Sequence, residues 1–208
     1  MKKHWLKKLQ NASGFTLVEV LVAMLILLMV TAVVAGAMPV ARDAYYKVVD
    51  SANAQVLLST TATALRDELG TAKEIELWDG DAQVEANPSG GSALAFGEAG
   101  SAAGKRIAYI SPNTGAKSSI WVGTSGKAGE TDVSVYLREY VDLTADESFT
   151  RPLVSKKAAT DRLCVTFDSV TLNNEILTIT GLKVKSTVGS GQVLASLDTF
   201  TVRVAIGG

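Results

Sequence analysis

One cysteine, one histidine and four prolines among 208 residues rule out a good deal of chemistry. Cys164 has no second cysteine to pair with, so no disulfide can form within the chain. The single histidine, His4, lies in a lysine-rich tail, so the rest of the chain has no imidazole for a Ser/His/Asp triad, a Cys/His dyad or a histidine-containing zinc site. The charges nearly cancel, 20 basic against 21 acidic, which gives no global attraction to nucleic acid or anionic lipid. Two glycine-lysine stretches imitate a phosphate loop, but Ala99 and Trp121 stand where the first glycine is required. No catalytic residue is assigned, and the chain is read as a non-enzyme that needs no cofactor.

What the chain has in abundance is apolar length near its start. From Val20 to Met38 only Thr31 and Gly36 depart from Ala, Val, Leu, Ile and Met. At 1.5 Å per residue such a helix spans roughly 28 Å, close to the hydrocarbon thickness of a bilayer. Lys2, Lys3, Lys7 and Lys8 precede it with no acidic residue among them. By the positive-inside rule that end stays in the cytoplasm and the chain beyond Pro39 crosses to the outside. Two ordinary readings fit this much. One is a plain anchor helix. The other is a secretory signal peptide cut after Ala37, at Ala35-Gly36-Ala37, releasing a secreted binding domain. Neither explains Glu19, a carboxylate at the mouth of the run, where an ionisable group costs roughly 2–3 kcal/mol on insertion scales.

The sequence Gly14-Phe15-Thr16-Leu17-Val18-Glu19, between the lysines and the apolar run, resembles the prepilin signature of type IV pilins and pseudopilins. The resemblance covers Ser13 to Leu28. It implies cleavage after Gly14 by a prepilin peptidase, methylation of the new amino terminus at Phe15 by the same enzyme, and assembly through Glu19, which pairs with the Phe15 amine of a neighbouring subunit. It implies as partners that peptidase, other pilin or pseudopilin subunits, the membrane, and an inner-membrane assembly platform with its ATPase. Nucleic acid is not among the expected partners. The implied location is a single-pass membrane protein, then an extracellular filament or pseudopilus. Losing the 14-residue leader removes four lysines and His4, leaving 16 basic and 21 acidic residues, a net of about −5. Many Gram-negative pilins share a C-terminal disulfide loop, which one cysteine cannot make. That departure favours a Gram-positive source or a pseudopilin, and a large outside domain with a glycine-rich insert leans toward a minor subunit.

The expected fold is α+β. The leader is 1–14, a membrane or filament-core helix 15–39 follows with a kink or break at Pro39, and its amphipathic second half is 40–70. An apolar stripe at Ala41, Tyr45, Val48, Ala52, Val56, Ser59, Ala62, Leu65 and Leu69 should pack on the outside domain, with Gly70 left-handed at the helix end. The β-rich domain is 71–208, an antiparallel sheet. Its candidate strands include Glu74–Trp78, Ala93–Phe96, Asp132–Val141, Leu163–Phe167 and Phe200–Ala205, with a turn at Asn173-Asn174. Val133, Val135 and Leu137 should face the core and Tyr136 should face water. Residues 86–104, rich in glycine and serine, read as a surface loop with too few apolar side chains to join a core. Asp79, Asp81 and Glu85 are the one cluster of candidate metal ligands, but they lack EF-hand spacing and Asp79-Gly80 is foremost a turn signal. Cys164, on the opposite strand face from Leu163 and Val165, is read as structural. Lys156-Lys157 and Lys183/Lys185 are read as solvated charge.

Overall fold

The computed structural model describes residues 15–84, 91–96, 104–111, 115–124, 133–140, 148–154, 162–188 and 191–204. One helix, α1 (Leu17–Gly70), is followed by eleven strands among the described residues. The chain forms two compact units, one ending at Lys47 and the other beginning at Val48.

In the first unit every residue of α1 up to Tyr45 is exposed. Pro39 lies inside the helix without interrupting it. An apolar helix with no buried face is one whose partner lies outside its own chain. The helix is long and apolar enough to cross a membrane.

In the second unit α1 buries Asp50, Ala54, Leu57, Thr61, Leu65 and Leu69. These sit three or four residues apart and form one face. Of the expected stripe, Leu65 and Leu69 belong to this face and Ala62 is partly buried against the core, whereas Tyr45, Val48 and Val56 are 66%, 70% and 61% exposed. The true face includes an aspartate and a threonine, which a search for apolar spacing passes over. Gly70 ends the helix without the expected left-handed backbone, since it is not among the glycines of positive φ. Instead the Thr71 hydroxyl donates to the Asp67 carbonyl and the Ala72 N–H to that of Leu69. Side-chain hydroxyls along this half bond back to their own helix: Thr60 to the Val56 carbonyl at 2.7 Å, Thr61 to Leu57 at 2.7 Å, Thr63 to Ser59 at 2.9 Å.

The strands are β1 (Lys73–Asp79), β2 (Ala82–Gln83), β3 (Ser92–Ala95), β4 (Arg106–Ile110), β5 (Lys117–Gly123), β6 (Ser134–Tyr140), β7 (Ser148–Pro152), β8 (Leu163–Thr166), β9 (Ser169–Asn173), β10 (Ile176–Ser186) and β11 (Val193–Arg203). They form two antiparallel sheets. One runs β2-β1-β4-β5-β6-β7; the other runs β11-β10-β9-β3, with β8 also paired to β10. Leu57, Leu65 and Leu69 of the helix join Leu77, Ile107, Ile120 and Leu137 of the first sheet and Val165, Ile179 and Phe200 of the second in one core.

Two expectations fail here. Residues 86–104 do not form a loop throughout, because β3 pairs with β9 and buries Leu94, and Phe96 stacks edge-on against Phe167 with ring centroids 4.7 Å apart. Gly91, at φ +83°, enters that strand where a Cβ would overlap the Leu172 carbonyl, so glycine is required by the pairing itself. Residues 86–90 and 97–103 lie outside the described ones. Tyr136 is fully buried rather than wet, packed at 5.8 Å and 23° against Trp121 on the opposite face of the sheet from the main core. The β9–β10 turn does carry a left-handed asparagine, Asn174 at φ 52°.

Candidate processing and assembly site

Two exposed residues, Phe15 and Thr16, lead into α1. The Thr16 carbonyl accepts from the Glu19 N–H at 3.0 Å and the Val20 N–H at 3.2 Å, and its hydroxyl oxygen accepts from the Glu19 N–H at 3.3 Å. Thr16 is therefore the N-cap, and Thr16-Leu17-Val18-Glu19 has the spacing of a capping box. Thr16 is not part of the Gly14/Phe15/Glu19 spacing, and its sequence signal is the T-x-x-E pattern. Glu19 in the first turn also lies where the helix dipole favours a negative charge. Beyond it the surface is apolar: Glu19 shares its side of the helix with Phe15, Ala23 and Leu27. The result is one carboxylate at the rim of an uncovered hydrocarbon face, one turn from Phe15. Gly14 lies outside the described residues.

Residues 9–35 match the family model of the prokaryotic N-terminal methylation motif. The chain therefore carries the amino-terminal methylation motif found in type IV pilin-like proteins. No curated protein and no solved structure matches it, so the second unit is read from its own geometry.

On the outer face of the six-stranded sheet lies a groove of about 490 Å³. Its floor is set by the small residues Ala108 and Ser119, which pair across β4 and β5. Its walls are largely self-satisfied. The Trp78 indole donates to Glu76 at 2.9 Å, Arg106 lies 5.2 Å from the Trp78 ring and donates to the Gly80 carbonyl, and Arg138 donates to Thr150.

The remaining candidates are scattered. Asp79 closes β1, with Gly80 turning left-handed after it and Lys105 at 4.0 Å from its carboxylate. Asp81 follows in the turn, and Glu85 is outside the described residues. Among the described residues no group of three or more potential ligands could hold a metal. Cys164 is half-buried on β8. Lys183 is paired with Asp168; Lys156 and Lys157 lie outside the described residues. One feature invisible in the sequence is Asp50, buried on the helix with Arg162 at 3.4 Å.

Proposed function

We propose that this pilin-like chain is a minor structural subunit of a type IV pilus or pseudopilus, cut after Gly14, methylated at Phe15, and assembled by pairing the Phe15 amine with Glu19 of a neighbour. The observation that carries this reading is the lone carboxylate at the capped start of an otherwise uncovered apolar helix. Cleavage creates a positive amine, and a charge entering an apolar bundle needs a partner of opposite sign. The helices then cover one another as they leave the bilayer. Before assembly the subunit lies in the membrane with its β domain outside and its lysine-rich end in the cytoplasm, the side on which the prepilin peptidase cuts; the inner-membrane assembly platform and its ATPase then act on it. Residues 15–39 are the span and filament core, 40–70 the docking half of the helix, and the β domain the exposed part. Release by signal peptidase after Ala37 fits poorly, because Ala35–Ala37 lie within an unbroken helix.

N-terminal mass analysis of the purified mature protein tests the reading. A methylated Phe15 is the expected first residue. Met38 in that position would mean an ordinary secreted domain.

A further inference from the structure

The apolar run has a far end as well as a near one. From Val20 to Val40 no side chain is ionisable, and then Arg42, Asp43, Tyr45, Tyr46 and Lys47 follow within two turns. Counting 1.5 Å per residue, Arg42 lies about 33 Å along the helix from Val20, just beyond a hydrocarbon layer of about 30 Å. Tyr45 and Tyr46 lie a further turn out, in the headgroup layer. Their arrangement suits that layer. Arg42 sits 5.3 Å from the Tyr46 ring centroid and donates to its hydroxyl at 3.4 Å, and this hydrogen bond holds the guanidinium above its ordinary range. The Tyr45 and Tyr46 rings meet edge to face at 6.0 Å, and Tyr45 is 66% exposed.

We infer that Arg42, Tyr45 and Tyr46 form an interfacial anchor that docks in the lipid headgroup layer of the leaflet opposite the lysine-rich tail and fixes the depth of the helix. This rests on the membrane-anchored reading given above. Tyrosine presents an apolar ring and a polar tip, which is why it collects at membrane interfaces. A guanidinium has five N–H donors, and Tyr46 takes one, which leaves a planar fork for a lipid phosphate. Before the leader is cut, the positive charge of Lys2, Lys3, Lys7 and Lys8 keeps one end in the cytoplasm while this trio holds the other, so the precursor helix has one preferred position across the bilayer. The two ends hold by different means, charge on one side and aromatic partitioning on the other. The trio must be pulled through hydrocarbon only if the subunit slips inward, so it resists loss to the cytoplasmic side without opposing outward extraction.

The full chain carrying Cys164→Ser, with single cysteines placed in turn at Met38, Val40, Ala41 and Ala44, is reconstituted into phosphatidylcholine vesicles at low density and treated with a membrane-impermeant maleimide. Labelling at Ala44→Cys and protection at Met38→Cys are expected. In Arg42→Gln/Tyr45→Ala/Tyr46→Ala the labelled edge should move by about one turn, roughly four residues, whereas Tyr45→Trp/Tyr46→Trp should leave it in place. An edge at the same residue in parent and triple variant, both still in the carbonate-washed pellet, overturns the anchor and leaves membrane insertion standing. Release of the parent itself by carbonate overturns both.

Discussion

The two stretches of α1 on either side of Lys47 share a backbone and little else. The first is apolar all round from Val20 to Ala41, and every residue in it up to Tyr45 is exposed. The second is rich in alanine, serine and threonine, and buries a single file from Asp50 to Leu69. Hydrophobicity alone would rank the first as the better core element, yet it is the second that holds the core. A helix that is apolar on every side has no face with which to orient against a sheet, whereas one with a narrow stripe has only one way to dock. Total hydrophobicity therefore marks where the partner is elsewhere, and its asymmetry marks where the partner is the same chain.

The comparison breaks first at Glu19. Glu19→Ala should be processed and inserted at least as well as the parent, since a charge leaves an apolar helix, while recovery of a tagged subunit in sheared filaments falls steeply. Normal recovery would show that the first stretch assembles without its carboxylate. Next in size is the segment carrying β3. Replacing residues 88–103 by a short Gly/Ser linker in a Val40–Gly208 fragment removes buried Leu94 and Phe96 together, and truncating a buried phenylalanine alone costs about 3–5 kcal/mol. The cooperative thermal transition should be lost or fall far below that of the parent. A transition within a few degrees of the parent would return this segment to the status of a loop.

A more even contrast sets two leucines of one helix against each other. Leu65→Ala, at a fully buried position, should cost about 2–5 kcal/mol in denaturant unfolding of the full chain in detergent. Leu25→Ala, at a position 54% exposed, should leave the midpoint where it was. Equal losses would mean that the two stretches are not distinct in their partners. The smallest effect is expected at Asp50→Ala in the Val40–Gly208 fragment, about 1 kcal/mol, because the Arg162 side chain is 37% exposed and water screens the pair. No change in midpoint would reduce the pair to a surface contact.

Much of this was legible in the residues. Val133/Val135/Leu137, Leu163/Val165 and Phe200/Val202 alternate as half-buried strands do, and the apolar run and its motif mark the membrane end. What escaped notice has physical reasons. Asp50 and Thr61 are buried because a cation and a helix carbonyl satisfy them, and no pattern of apolar spacing anticipates that. Trp121 and Tyr136 bury a face that alternation assigned to water, because a sheet can acquire a second aromatic cluster on its outer side. The strand at Ser92–Ala95 matches the candidate Ala93–Phe96, but its glycine-rich surroundings hide that it joins the core, one glycine being there to let the backbones meet. β7, ending in Pro152, lacks alternation altogether. At the site, Gly14, Phe15 and Glu19 stood out through their spacing, whereas Thr16 is revealed by its hydrogen bonds.

The hydroxyls of α1 bear on how such a helix can be covered. Thr31, Ser59, Thr60, Thr61 and Thr63 each return their proton to a carbonyl three or four residues back. A surface that looks wet by composition is thus already dry in its donors. Another chain can close over it without stripping water from an unmet hydroxyl proton, which is otherwise a cost of about 1–3 kcal/mol per group. The serine and threonine content behaves there as small, nearly apolar relief, and lets one helix surface be at ease in water, in lipid or against protein in turn.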